Sequence, residues 1–215
     1  MQEPTELAER RAHLTDTGLD VGDLAADPFE QLQVWLDDAW ASGLHNANSM
    51  AVATATPEGT PSVRNVLYRG WVEGGLAFYT NYESQKGVEL LINPRAEALF
   101  SWLPLERQVR LSGPVTVAPA EASDEYWSSR SRENQIAALS SDQSRPVPDR
   151  DWLERRTRVL EAAHAGREVP RPEHWGGFVL RPERIEFWQG RRYRLHDRLV
   201  YVHSDDGWAI TRLAP

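Results

Sequence analysis

The strongest constraint in this chain is a run of period-two hydrophobicity that begins at Ser49. Strict alternation of apolar and polar side chains gives a strand one buried face and is incompatible with a helix. "SMAVATAT", the turn "PEGT", "PSVRNVLYRG", the turn "VEGG" and "LAFYTN" follow one another with short punctuation, and they read as an antiparallel meander. Two more strands are expected at "AEALFSWL" and "RQVRLSGPVTV", the second broken at Gly113 and Pro114. The C-terminal stretch returns to strands at "GGFVLRP", "RIEFWQG", "RLVYVH" and, after the turn "SDDG", "WAITRL".

Helical signals interrupt this pattern. In "DPFEQLQVWLDDAWASGL", Asp27 caps, Pro28 takes the first helical position, and Phe29, Leu32, Leu36, Ala39 and Trp40 form the apolar stripe. A short helix is expected from Ser84, ended by "NPR" at Asn93 to Arg95. Two more are expected near residues 120–131 and 149–163, separated by a polar loop. Residues 1–26 are polar without a clear apolar period, and they read as a loose arm with a short helix around Thr5 to Leu14. The expected organisation is this arm followed by one domain over residues 27–215, a mainly antiparallel sheet or barrel with a few helices packed on it.

Composition removes several classes of function. The N-terminus is acidic and lacks an apolar leader, and no apolar run approaches a membrane span, so neither a signal peptide nor a membrane partner is expected. With no cysteine there are no disulfides, thiolate metal sites or cysteine nucleophiles, which fits a cytoplasmic protein. A net charge of -8 argues against nucleic acid as a partner. No GxSxG, P-loop, HExxH or dinucleotide fingerprint is present, and no motif supports a metal at His196 and His203, so chemistry would come from a bound organic cofactor.

Four clusters carry possible chemistry, each with a plainer alternative. In "YTNYESQKG", Lys86 is the only lysine among 24 Lys and Arg residues. An ammonium beside a helix N-terminus and the hydroxyls of Thr80 and Ser84 suits a phosphate, but the pattern also describes a capped helix with a solvated lysine. In "EYWSSRSRENQ", Tyr126 and Arg130 share a helical face that Asn134 extends if the helix continues, either as phosphate donors or as a solvated stripe. In "EFWQGRRYRLHDR", an extended backbone projects Arg194, His196 and Arg198 to one side, either as an anion site around an imidazole or as the charges of an edge strand. In "RNVLYRG", Arg64 and Arg69 are an odd number apart and so face opposite ways on a regular strand.

Taken in order, "RNVLYRG", "FYTNYESQKG", "LERQVRLSG", "YWSSRSRENQI", "QSRPV", "VPRPEHWGG", "IEFWQGRRYRLHDR" and the terminal "RLAP" resemble the pyridoxamine 5'-phosphate oxidase family, from about residue 28 to Pro215. The resemblance implies a six-stranded antiparallel FMN-binding split β-barrel with flanking helices, forming a homodimer with FMN at the interface. It implies oxidation of pyridoxine or pyridoxamine 5'-phosphate to pyridoxal 5'-phosphate, with O2 as acceptor and H2O2 as product.

Residue by residue, the matching blocks assign FMN to Arg64, Asn65, Val66, Leu67, Tyr68 and Arg69, to Tyr79, Thr80, Gln85 and Lys86, and to Gln108, Gln143, Ser144, Trp188 and Arg198. They assign the substrate phosphate to Arg69, Tyr126, Arg130 and Asn134, and the reacting centre to Arg194 and His196.

Four positions depart from the family pattern. Arg69 stands for a typical lysine, Asn134 for a serine, Gln85 for an arginine, and "IAAL" at Ile136 to Leu139 for "IGAW". Loss of the charge at position 85 implies weaker FMN binding than is usual in the family. Because the changes cluster at both phosphates, two other readings stay open: a related barrel oxidising tricyclic phenazine intermediates, or a non-catalytic flavin or pyridoxal phosphate carrier.

Overall fold

The computed structural model describes residues 5–204 and 207–215, so Asp205 and Asp206 of the expected "SDDG" turn and the first residues of the arm lie outside the described part. Its helices are α1 (Thr5–Thr17), α2 (Pro28–Ala41), α3 (Gln85–Ile92), α4 (Ala120–Ser129), α5 (Arg132–Ser140) and α6 (Arg150–Ala163). The strands are β1 (Ser49–Ala55), β2 (Pro61–Leu67), β3 (Trp71–Val72), β4 (Gly75–Asn81), β5 (Arg95–Trp102), β6 (Arg107–Val117), β7 (Trp175–Leu180), β8 (Arg184–Gln189), β9 (Asp197–Ser204) and β10 (Gly207–Leu213).

All strand pairings among the described residues are antiparallel. Six strands curl in the order β2, β1, β5, β6, β7, β4. Beyond β2, the Arg69 amide donates to the Ala77 carbonyl of β4 at 2.9 Å and the Ala77 amide donates to Gly70 at 3.0 Å, which draws the two ends of the curl together. The result is a half-barrel with flanking helices. Strands β8, β9 and β10 continue the sheet from the first part of β6.

The division between the two continuations lies at Gly113 and Pro114, where a break was expected and the structure instead carries one unbroken strand. Residues Arg107 to Ser112 of β6 pair with β8, and Val115 to Val117 pair with β7. A side chain at Gly113 would collide with the Arg181 carbonyl oxygen, and Pro114 offers only its carbonyl, which accepts from the Arg181 amide at 2.9 Å. The bend is therefore a change of partner rather than the end of a strand.

Apolar residues of β1 and of β4 through β9 fill the core, with Phe78, Phe100, Phe178, Phe187 and Tyr201 among the largest fully buried side chains. Helix α2 packs Leu32, Trp35, Leu36 and Ala39 into this core. Its cap is as expected, the Asp27 carboxylate accepting from the Phe29 amide at 2.8 Å. The buried tryptophan is Trp35, edge-on to Phe187 at 5.1 Å, whereas Trp40 of the expected stripe is exposed. The arm is helical through Thr17, three residues beyond the expected Leu14, and it packs Leu7 and Leu14 against the core.

Two local expectations fail, both by a change of backbone state. The helix carrying Tyr126 ends at Arg130 (φ -74°, ψ 146°), and Ser131 caps a new helix, α5, within the expected polar loop. The segment before β9 is not extended, because Arg192 to Arg194 form a tight turn with Tyr193 at φ 58° and Arg194 at φ 62°.

Candidate functional site

The passage from β4 into α3 builds the centre of the site. The Asn81 side chain accepts from the Glu83 amide at 2.7 Å to turn the chain, and Ser84 caps α3 by accepting from Gly87. This directs Lys86 inward, where it is 7% exposed. Its Nζ donates to Thr80 Oγ1 at 3.1 Å, Ser84 Oγ at 3.2 Å and Gln143 Oε1 at 3.3 Å. Among the described residues no carboxylate pairs with it. Burial first, and then the charge of Arg64, bring Lys86 down to about 8 from 10.5, with Glu89 opposing. An ammonium held only by neutral oxygens is ready to meet an anion.

Lys86 lines a cavity of about 560 Å³ together with Ser62 to Leu67, Arg69, Tyr79, Thr80, Gln85, Tyr126, Gln143 and Ser144. Arg64 and Arg69 share this cavity because β2 ends at Leu67, so the expectation that they face opposite ways does not carry past the strand. Arg64 donates to Thr54 Oγ1 at 2.6 Å, to Ser62 Oγ and to Glu89 Oε2 at 3.5 Å. Gln85 donates to the other Glu89 oxygen at 3.0 Å. Burial alone would raise the Glu89 carboxyl, but the hydrogen bonds of Ser62, Thr54 and Gln85 and the charge of Arg64 outweigh it and hold the group below its usual range.

A smaller cavity of about 310 Å³ adjoins the first, sharing Tyr79, Thr80, Tyr126 and Gln143 and reaching Arg130 and Trp175. Its wall is an aromatic stack: Tyr79 and Tyr126 lie 4.0 Å apart at 18°, and Trp175 lies 6.1 Å from Tyr126 at 6°. Arg69 sits 5.4 Å over Tyr126, and Arg130 sits 4.6 Å over Trp175. Arg130 Nη1 is buried without a hydrogen-bond partner among the described residues. Asn134 is exposed on α5 and lines neither cavity, because the helix break at Arg130 removes it from the stripe.

The remaining sequence candidates form a second group. Gln108, Trp188 and Arg198 lie in one row across β6, β8 and β9. The Trp188 and His196 rings are 4.7 Å apart, and His196 Nδ1 accepts from the Arg191 amide at 3.1 Å. Arg198 donates to Glu186 Oε1 at 2.8 Å and to the Ala214 carbonyl at 3.0 Å. None of these residues, nor Arg194, lines either cavity. Tyr68 belongs to neither group: its ring packs against Phe100 and Trp71 in the core, and burial pushes its phenol up to about 12.

Sequence reasoning missed the carboxylates that orient these cations. Glu89 lies four residues after Gln85, a helical spacing that was available as a signal. Glu186 lies between Arg184 and Trp188 and also meets Arg110 from the neighbouring strand at 3.4 Å, a contact no local pattern announces. The same outward sheet face leaves Val63, Leu67 and Val202 exposed.

Two family models match. The one described as pyridoxamine 5'-phosphate oxidase covers residues 36–164, and the one described as the pyridoxine 5'-phosphate oxidase C-terminal dimerisation region covers residues 175–215. A Gluconobacter oxydans (strain 621H) protein named pyridoxine/pyridoxamine 5'-phosphate oxidase is 50% identical over 193 residues, covering 90% of this chain and 96% of that protein. A Deinococcus deserti protein of the same name is 51% identical over 213 residues, 98% of this chain and 100% of the relative. Among solved structures, PhzG from Burkholderia lata 383, in complex with tetrahydrophenazine-1-carboxylic acid, has a TM-score of 0.85 at 31% identity, covering 90% of this chain and 95% of that one. A pyridoxamine 5'-phosphate oxidase-related, FMN binding protein from Nostoc punctiforme PCC 73102 shares the fold, with a TM-score of 0.71 at 18% identity over 89% of this chain and 100% of that one.

Proposed function

This chain belongs to the pyridoxamine 5'-phosphate oxidase family, and from that premise we propose that it oxidises pyridoxine or pyridoxamine 5'-phosphate to pyridoxal 5'-phosphate, with FMN as cofactor and O2 as acceptor. One observation carries the reading: two adjoining cavities each hold a buried cationic group that no carboxylate pairs with among the described residues, Lys86 Nζ in one and Arg130 Nη1 in the other. Two anion sites joined by an aromatic wall fit a phosphorylated flavin beside a phosphorylated pyridine.

The donor set fits FMN. Lys86, Thr80 and Gln143 supply an ammonium, a hydroxyl and an amide at one end of the larger cavity, and Arg64 adds a guanidinium already oriented by Glu89. Arg69, Tyr126 and Arg130 are assigned to the substrate phosphate, where the stack of Tyr79, Tyr126 and Trp175 fixes the two cations by cation–π contact. Bound FMN would supply two-electron acceptor chemistry: hydride equivalents leave the substrate C4' carbon and pass to O2 as H2O2, with water replacing the amine when pyridoxamine phosphate reacts.

The protein's share is orientation. We assign the row of Gln108, Trp188 and Arg198, with Arg194 and His196, to the flavin ring and reacting carbon bound by the partner protomer in a homodimer, so that FMN lies at the interface. In support, the two groups of residues line different parts of one chain, and residues 175–215 match a dimerisation region. The outward sheet face carrying the row also leaves Val63, Leu67 and Val202 exposed. With Nδ1 accepting from the Arg191 amide, neutral His196 carries its proton on Nε2, the nitrogen free to donate to a substrate oxygen. Among the described residues no helix is long and apolar enough to cross a membrane, and the cysteine-free chain fits a cytoplasmic reaction.

Anaerobic mixing of the FMN-loaded protein with pyridoxamine 5'-phosphate tests the proposal. Flavin bleaching, recovery on admitting O2, and equal yields of aldehyde and peroxide are expected. A flavin that stays oxidised with both vitamers but bleaches with a reduced phenazine carboxylate would transfer the site to the tricyclic reading. A flavin that responds to neither would leave a carrier.

A further inference from the structure

The turn that carries Arg194 and precedes His196 holds two consecutive non-glycine residues in the left-handed region, Tyr193 and Arg194. Such a pair persists only where its surroundings over-determine it. Neither of their side chains has a hydrogen-bond or ion-pair partner among the described residues, so the restraint must come from the flanks. It comes from the N-terminal arm. Asp16, near the end of α1, grips the Arg192 guanidinium with both carboxylate oxygens, Oδ1 to Nε at 2.7 Å and Oδ2 to Nη2 at 3.0 Å.

The contacts continue on both sides. The Leu19 amide donates to Asp197 Oδ2 at 3.0 Å, and Arg212 donates to Asp197 Oδ1 at 2.6 Å and to the Leu19 carbonyl at 3.0 Å. Arg191 reaches Asp197 at 3.5 Å, while its amide fixes His196 Nδ1. Gly18, at φ 75°, leaves room for this packing, since a Cβ there would collide with the Arg191 guanidinium. Helix α1 carries no basic residue in its own last turn, so Arg191 and Arg192 supply cations at its carbonyl end.

We propose that Asp16 is a positioning residue for the reaction: through Arg192 it holds the strained turn, and with it the placement of Arg194 and His196. This rests on the roles assigned to those two residues above. Asp16 and Arg192 are both more than half exposed, 52% and 66%, so their pair adds little to global stability. What it holds is local.

Hydrogen exchange and steady-state kinetics of the FMN-loaded protein separate the possibilities. In Asp16→Asn, amides of residues 191–196 are expected to exchange at least several-fold faster while those of β6 do not change. Turnover of pyridoxine 5'-phosphate should fall on the order of ten- to a hundredfold, as misplacement of reacting groups does, with FMN affinity and melting temperature retained. Asp16→Glu should keep most of the activity, and Asp16→Arg combined with Arg192→Asp should recover much of it. Unchanged exchange in the turn overturns the proposal, as does a kinetic loss that only tracks lost FMN or a lower melting temperature. If the wild-type chain oxidises neither vitamer while exchange in the turn still accelerates in Asp16→Asn, the B6 reading falls and the clamp stands.

Discussion

Lys86 Nζ and Gln143 Oε1 stand 3.3 Å apart, joining the N-terminus of α3 to the loop after α5 across the floor of the larger cavity. The amide oxygen solvates the ammonium without neutralising it, which leaves its charge for a ligand.

That arrangement fixes the sign of two pH effects. In the flavin-free protein Lys86 titrates near 8, and a bound phosphate needs it protonated, so FMN affinity should fall as pH rises past about 8. Stability of the flavin-free fold moves the other way. Between about 8 and the unfolded value of 10.5 the unfolded chain binds the proton that the folded chain has lost, so stability rises with pH there, by about 2 kcal/mol up to pH 10. Lys86→Met should weaken FMN ten- to a hundredfold, the cost of losing a charge-assisted contact worth about 1.5–3 kcal/mol, yet raise the flavin-free melting temperature. Flavin fluorescence titrations and thermal melts from pH 7 to 10 check both, and a Lys86→Met variant less stable than wild type would contradict the buried, unpaired ammonium.

Gln85 tests the departure at the proposed flavin-phosphate site. It donates to the Glu89 oxygen that Arg64 does not approach. An arginine there would share Glu89 with Arg64 and add a full charge beside Lys86, so Gln85→Arg should tighten FMN binding by about 1 kcal/mol, roughly fivefold. Equilibrium dialysis of both proteins measures it, and a nanomolar dissociation constant for the wild type would remove the reason to expect weak binding.

Glu186 is 2% exposed and gathers Arg198, Arg184 and Arg110 on three strands. Burial alone would raise its carboxyl, but the hydrogen bonds of Arg198 and Arg184, and the charges of Arg110 and Arg198, hold it below 4.5. A depressed carboxyl stabilises the fold above the unfolded value, and that contribution is lost as pH falls through the lower folded one. Glu186→Gln should therefore cost about 3 kcal/mol at neutral pH, with a gap to wild type that narrows below pH 4.5. Urea midpoints at pH 7 and 4 decide it. A constant gap would place the effect in packing instead of charge.

Much of the architecture was legible because alternation and turn chemistry are local. The strands of the meander, the Asp27 cap and the Ser84 cap need no distant partner to be read. The helix break at Arg130 was not legible, since Tyr126, Arg130 and Asn134 keep helical spacing whether or not the backbone turns between them, and only the Ser131 cap redirects it. The turn at Tyr193 and Arg194 was hidden for the same kind of reason: its left-handed backbone is imposed by Asp16 and Asp197, far away or across a strand end. Glu186 escaped notice because two of its arginines arrive by strand register. Period two also shows which residues share a face, but not that β2 stops at Leu67 and lets Arg64 and Arg69 reach one cavity.

Arg130 separates the substrate reading from the cofactor. Its guanidinium is pinned over Trp175 and Trp127, at 4.6 and 5.2 Å, and burial is the largest influence lowering it from its usual value, with Arg69 adding to the effect and Tyr126 opposing it. A site held this way recognises an anion by fixed geometry, which a lysine cannot copy. Arg130→Lys is therefore expected to raise KM for pyridoxine 5'-phosphate on the order of tenfold with kcat changed less, and to leave FMN affinity as it was, because Arg130 does not line the larger cavity. Steady-state kinetics with the phosphorylated vitamer and with unphosphorylated pyridoxine provide the check. The variant should lose most of the preference for the phosphate, and an undiminished preference would move the substrate phosphate away from Arg130.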